Sequence, residues 1–305
     1  MEGVVRSAMR YTAPQEAWEA PGHDVPVRGD VAALATMLGE GGALVLTGAG
    51  ISTDSGIPDY RGPTSARRRH APMTYDAFVG DPVARHRYWA RSHVGWPQIA
   101  GARPNDGHRA VAALQRSGLL SGLITQNVDG LHQAAGARDV VELHGALDRV
   151  VCLGCREALA RTRIQELLSA LNPDFDATVS VINPDGDAEL APAELDRFTM
   201  ADCPACGDGP LKPDVVFFGE SVPRPRVQHC FELVDRARSL VVLGSSLTVM
   251  SGLRFVHAAT RRSLPVAIVT SGPSRADAVA NLRLTGALGD VLSAALDTLG
   301  LLDRA

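Results

Sequence analysis

ALVLTGAGISTDSGIPDYR, residues 43–61, decides how the rest of the chain is read. Four apolar residues run into Thr47, then Gly48, Ala49 and Gly50 make a turn almost without side chains, and a polar segment follows. This pattern predicts a buried strand that delivers a tight, phosphate-sized turn. Glycines let the backbone approach a pyrophosphate, and the N–H groups of a helix starting after the turn attract its charge. Thr53 stands where the third glycine of the dinucleotide fingerprint would be, so on these glycines alone a structural turn and a nucleotide site stand level.

The chain around this stretch has 305 residues, 45% hydrophobic and 21% charged, enough for one large core or two modest domains. No apolar run reaches the roughly 18 residues of a membrane span. Residues 1–27 contain Pro14, Pro21 and Pro26 and no signal-like apolar block, which reads as a flexible N-terminal arm on a cytoplasmic protein. A net charge of −4 argues against direct nucleic-acid binding. Lys212 is the single lysine among thirty basic residues, so the chain offers almost no lysine of its own as a substrate. Nothing in the sequence sets an oligomeric state.

Asp30 can cap a helix whose Val31, Leu34, Met37 and Leu38 share a face, and Gly39 ends it. Helical patterns also run from Tyr75 to Trp89 and from Asp106 to Arg116, while Arg67, Arg68 and Arg69 read as a solvated loop. Apolar strands recur at LITQNVDG (123–130), VVELHG (140–145), VVFFGE (215–220), SLVVLGSSL (239–247) and PVAIVT (265–270). Near-continuous apolar strands alternating with helices predict an α/β fold with a parallel sheet covered on both faces. The strands end in polar residues: Thr47; Gln126, Asn127 and Asp129; His144; Glu220; Ser245 and Ser246; Thr270. Open parallel sheets bind ligands beyond those ends, where strand order reverses. His144 is the histidine placed there to act as a base near neutral pH.

Between His144 and VVFFGE the alternation is interrupted by a segment holding Cys152, Cys155, Cys203 and Cys206 as two C-x-x-C pairs. Four thiolates supply a closed tetrahedral site, which favours a structural zinc over a catalytic one, with a thioredoxin-like dithiol as the alternative. Residues 172–197 within this insert are acidic and aperiodic and read as a surface excursion. Cys230 lies in an apolar helical pattern and reads as a core residue.

Taken together, GAGISTDSGIPDYR at 48–61, QNVDGLHQAAG at 126–136, ELHG at 142–145, the four cysteines, LKPDVVFFGE at 211–220 and GSSL at 244–247 resemble the sirtuins, NAD-dependent protein-lysine deacylases. YWARSHVGWPQ at 88–98, the insert containing NPDGD, and GSSLTVMSG are most similar to the class II subgroup. The resemblance implies a Rossmann-like NAD-binding domain from residues 28–60, 106–146 and 213–305. A smaller part would be built from a cofactor loop and helical insert, 61–105, and a zinc-binding insert, 147–212.

It also implies that Gly48, Ala49, Gly50, Ser52, Thr53, Asp59, Tyr60, Arg61, Gln126, Asn127, Val128, Asp129, Gly244, Ser245 and Ser246 line an NAD cleft. Thr270, Ser271, Gly272 and Leu288 would complete it, Thr270 standing where many sirtuins carry Asn. In the family's chemistry the acyl-lysine carbonyl oxygen attacks the ribose carbon as nicotinamide departs. His144 then accepts a ribose hydroxyl proton, with Asn127 and Asp129 positioning ribose and water. Val216, Phe217 and Gly219 would pair with an acylated-lysine protein substrate as an added strand. Tyr88 and Arg91, on one face of a helix, would read an acyl group with a carboxylate or branched tail, since Arg can hold a carboxylate bidentately; ordinary packing of a helix-surface pair is the alternative. Mono-ADP-ribosyl transfer from the same site, and a non-catalytic NAD sensor, are the competing functions; labelled NAD and simple turnover separate them.

Overall fold

The computed structural model describes residues 27–60, 72–175, 177, 183 and 185–302. Arg61, the arginine run at 67–69 and the N-terminal arm up to residue 26 lie outside them.

The first strand, β1 (Ala43–Thr47), is buried throughout. Parallel to it run β2 (Leu120–Thr125), β3 (Val140–Glu142), β7 (Ser239–Leu243), β8 (Val266–Val269) and β9 (Leu282–Leu284), in the spatial order β3-β2-β1-β7-β8-β9. Both neighbours of β1 end level with it: Thr47 pairs with Thr125 on one side and Leu243 on the other. The strand order reverses on either side of β1, which opens a crevice past Thr47.

Side chains alternate across this sheet. Val45, Leu123, Val241, Ala267 and Val269 pack against helices α1 (Val31–Gly39), α4 (Asp106–Arg116) and α10 (Leu288–Thr298). Leu44, Leu46, Ile124, Val242 and Ile268 pack against α8 (Arg224–Arg236) and α9 (Met250–Arg261) on the other face. Asp30 caps α1 by accepting from Ala33 N–H at 2.8 Å.

Between β3 and β7 lies a second sheet in the order β5-β4-β6, made of β4 (Gly145–Cys152), β5 (Ala158–Ala160) and β6 (Leu211–Val215), antiparallel throughout. Its core is shared with α2 (Tyr75–Gly80), α3 (Pro82–Gly101) and α6 (Arg161–Leu171); α5 (Leu131–Ala134) and α7 (Pro192–Leu195) are single turns.

Three sequence expectations change here. VVFFGE is not a strand of the parallel sheet: β6 ends at Val215, and residues 216–220 leave it through a turn in which Gly219 has φ +80°. Pro213, which has no N–H, is accommodated because β6 is an edge strand. The sixth parallel strand is instead β9, only three residues long. The helical stretch at 75–89 is two helices, broken at Asp81, whose side chain accepts from Val83 N–H at 2.8 Å ahead of a second helix that starts on Pro82. Part of the expected surface excursion is buried: Asn183, Asp187 and Ala188 pack under α3, where Ala188 N–H donates to Arg91 O at 3.1 Å.

Candidate active site

The turn after β1 is followed not by an α-helix but by two 3-10 turns, 49–51 and 53–55. Its glycines are required by a second loop. A Cβ on Gly50 would lie 2.9 Å from Gly244 O, one on Gly48 would lie 2.7 Å from Ser245 Cβ, and Gly244 itself has φ +63°. GAG and GSS therefore interlock, backbone on backbone, at the crevice mouth. Leu288, buried at the start of α10, closes against the same point.

The polar residues after β2 converge on this junction. Ser245 Oγ donates to Gln126 Oε1 at 2.6 Å, and Gly252 leaves room for the Gln126 amide, because a Cβ there would approach Nε2 to 2.2 Å. Ser52 Oγ donates to Asp129 Oδ2 at 2.7 Å and accepts from Asn127 Nδ2 at 3.0 Å. Burial pushes the Asp129 carboxyl up, opposed by hydrogen bonds from Leu131 N–H and Ser52. Thr53 Oγ1 donates to Gly50 O at 3.0 Å and Ser246 Oγ meets Thr248 Oγ1 at 2.9 Å, which hold both loops in shape.

His144 sits between β3 and β4, its Nδ1 2.9 Å from Gln126 O and its Nε2 2.8 Å from Ser251 Oγ. A carbonyl only accepts, so Nδ1 carries the proton and Nε2 keeps its lone pair. Burial pushes its pKa down to about 4, only partly offset by the Gln126 hydrogen bond, and Arg226 and Arg254 push the same way. The imidazole is therefore neutral at pH 7 and able to take a proton on Nε2.

A second layer of polar side chains supports these groups. His132 Nε2 lies 2.9 Å from Thr47 Oγ1, Thr47 donates to Thr125 Oγ1 at 2.8 Å, and Asn127 N–H donates to the same oxygen at 3.1 Å. His108 stacks edge-on to His132 and reaches toward Ser52 at 3.4 Å. Burial lowers both histidines, to about 4 for His108 and about 3 for His132. Ser251 was visible only as part of GSSLTVMSG, and no local signal marked it as the partner of His144.

The remaining expected residues fall as follows. Val128 packs against the smaller core and accepts from Leu147 N–H, and Tyr60 lies edge-on to Phe218. Asp59 is half-buried. Thr270 is buried, while Thr270 O and Gly272 O both accept from the fully buried Arg283. Ser271 Oγ donates to Gly286 O at 3.3 Å.

Val216 N–H donates to His144 O at 2.8 Å, which ties the segment after β6 to the histidine. Lys212, buried, pairs with Glu220 at 3.0 Å, and Glu220 accepts from Phe217 N–H. Phe217 packs on Phe78 and Tyr88. Tyr88 is thus a core residue, its phenol pushed far up by burial and by Asp185 and Asp187. Arg91 pairs with the fully buried Asp187 at 2.8 Å. The insert thus brings a carboxylate of its own to Arg91, the residue expected to read an acidic acyl group.

The four insert thiols lie within 4.8 Å of one another, with Cys152–Cys206 and Cys155–Cys203 at 3.7 and 3.8 Å. A tetrahedron with metal–sulfur bonds of about 2.3 Å has edges of about 3.8 Å. The set fits zinc with every position filled by protein, and Gly209 lies so close that a Cβ would meet Cys152 Sγ at 2.2 Å.

Residues 48–251 match the Sir2 family. The chain is 55% identical over 289 residues to NAD-dependent protein deacetylase 1 of Streptomyces coelicolor, covering 94% of this chain and 96% of the relative. It is 51% identical to the NAD-dependent protein deacetylase of Xanthomonas campestris pv. campestris, covering 82% and 85%. Among solved structures it is similar to a Sir2 with p53 peptide and NAD+ (TM-score 0.71, 28% identity, covering 89% of this chain and 99% of that one). It is also similar to a Sir2 with the inhibitor EX-527, 2'-O-acetyl-ADP-ribose and deacetylated p53 peptide (TM-score 0.69, 27% identity, covering 88% and 99%). With a reversed-order parallel sheet, the interlocked glycine loops and the thiol cluster all in place, the chain belongs to the Sir2 family.

Proposed function

We propose that this protein is an NAD-dependent protein-lysine deacetylase or deacylase that moves the acyl group from lysine to ADP-ribose and releases nicotinamide. One observation carries the reading: a neutral His144, its Nδ1 fixed by Gln126 O and its Nε2 available, stands beside the crevice at the ends of the parallel strands. The curated relatives, named as NAD-dependent protein deacetylases, support it.

In this reading NAD is consumed and supplies the ribose carbon that receives the acyl oxygen. Gly48, Ala49, Gly50, Thr53, Ser245 and Ser246 hold its phosphates, and Asn127 and Asp129, aligned through Ser52, orient ribose and water. His144 takes a ribose hydroxyl proton on Nε2, exchanging its Ser251 contact for the substrate. Val216, Phe217 and Gly219 pair with the substrate backbone, with Phe217 as the aromatic wall of the lysine tunnel. Thr270, Ser271, Gly272 and Leu288 receive the adenosine, and the loop of Asp59, Tyr60 and Arg61 covers the cofactor. The zinc site holds β4 to the loop after residue 200 and takes no part in chemistry.

The division into a Rossmann-like part and a smaller part carrying the zinc and helical inserts belongs to the same reading. So does a cytoplasmic location, which suits four reduced thiols. Among the described residues no helix is long and apolar enough to cross a membrane.

Mixing the protein with NAD and an acetyl-lysine peptide tests the proposal. Stoichiometric nicotinamide and free lysine peptide are expected. Label transferred from NAD to protein without loss of acetyl would identify an ADP-ribosyltransferase instead, and NAD binding without turnover a sensor.

A further inference from the structure

Among the described residues, four buried or half-buried cations have a carboxylate partner, and four, Arg85, Arg161, Arg226 and Arg254, have none. Arg91 pairs with Asp187, Arg149 with Glu142 and Asp214, Lys212 with Glu220, and Arg283 with Asp277. Arg161 is held by Gln165, Ser92 and the rings of Trp89 and Trp96, and Arg85 by two carbonyls at the end of α2, whereas the half-buried Arg226 on α8 and Arg254 on α9 have fewer contacts. Their guanidinium groups rest on backbone carbonyls instead, Arg226 Nη1 on Leu143 O at 3.3 Å and Arg254 Nε on Met250 O at 3.2 Å.

Those carbonyls lie one residue before His144 and one residue before its partner Ser251. The two arginines therefore bracket the histidine from two helices. Each uses only part of a fork that offers five donors. A substrate carboxylate would find donors here that the protein leaves unused. Val216 N–H donates to His144 O, the carbonyl one residue on from the Leu143 O that Arg226 holds, so residues 216–219 begin beside Arg226's contact.

We propose that Arg226 and Arg254 form an anion-reading rim that favours acyl-lysine peptides carrying an Asp or Glu beside the modified lysine. The proposal rests on the deacylase reading and names a feature of its substrate. A carboxylate entering along residues 216–219 gains charge-assisted hydrogen bonds that a neutral side chain lacks, and a lysine there is repelled.

The test uses the full chain with NAD and three acetyl-lysine peptides that differ only in whether the flanking residue is Asp, Asn or Lys. The expected kcat/KM order is Asp, then Asn, then Lys, with an Asp-over-Asn preference of about fivefold that shrinks as salt is raised. The double variant Arg226→Gln/Arg254→Gln should bring the ratio close to one. Arg236→Gln, elsewhere on α8, should keep the wild-type ratio. Equal kcat/KM for the three peptides in the wild type, or an unchanged preference in the double variant, overturns the rim. A double variant whose defect falls on KM for NAD and equally on all peptides assigns the arginines to the cofactor and also overturns it. No nicotinamide release with any peptide would instead defeat the deacylase reading itself.

Discussion

His144 Nε2 lies 2.8 Å from the hydroxyl of Ser251, a residue at the start of α9 and 107 positions further along the chain. The contact keeps a neutral imidazole turned toward the place where a substrate hydroxyl would arrive. Ser251→Ala should leave that lone pair without its resting partner. We expect kcat to change by less than about tenfold, since one neutral hydrogen bond contributes about 1 kcal/mol. A loss as large as that of His144→Ala would make Ser251 a participant in proton transfer.

The acid limb of kcat/KM reports the free enzyme's base. Burial lowers His144 to about 4, so the rate should hold from pH 8 down to roughly pH 5.5 and fall below that. A limb centred near the ordinary histidine value, about 6.5, would contradict the neutral, desolvated imidazole described above.

Stability follows the same groups with a definite sign. His108, His132 and His144 have folded values of about 4, 3 and 4, below the unfolded value of about 6.5, so the unfolded chain binds more protons in between. Their contribution is complete above pH 6.5 and is lost as pH falls from 6.5 toward 4, by up to about 1.4 kcal/mol per pH unit for each histidine. Denaturant melts at pH 7.5 and 5.5 should show the loss, and His132→Asn should shrink it. Equal stability at both values would mean these rings are hydrated.

Gly50→Ala tests the interlocked loops. Its Cβ would meet Gly244 O at 2.9 Å, and an overpacked contact costs about 1–3 kcal/mol. A lower Tm together with weaker NAD binding is expected, while Gly56→Ala, where a Cβ meets nothing but φ is +80°, should lower Tm alone.

Arg91→Ala leaves the fully buried Asp187 without its ion pair, a loss of about 3–5 kcal/mol in comparable sites. The variant should be destabilised with its acyl preference unaltered. A changed preference at full stability would put Arg91 in the substrate path after all.

How much of this was legible in the sequence depended on the range of the signal. The Asp30 cap, the α4 boundaries and β1 with its glycine turn depend on neighbours a few residues away, and they could be read directly. The sheet's sixth strand was hidden because β9 is three residues long and has a buried arginine at its centre, paired with Asp277. VVFFGE misled for the opposite reason: a continuous apolar run looks the same whether it is a central strand or a buried wall such as Phe217 against Phe78 and Tyr88. Cys152, Cys155, Cys203 and Cys206 were legible as a cluster because two close pairs leave few ways to satisfy four thiols. The partners that give Arg91 and His144 their surroundings, Asp187 and Ser251, are remote in sequence and become visible only when the helices pack.

The most direct test of the account is a time course of nicotinamide release from NAD and acetyl-lysine peptide, run with the wild type and with His144→Ala at matched NAD occupancy. Steady release by the wild type, with one deacetylated peptide per nicotinamide, is the expected result. His144→Ala should still bind NAD and fold but lose turnover by at least about a hundredfold, the lower range for general-base contributions. Undiminished release by His144→Ala would contradict it.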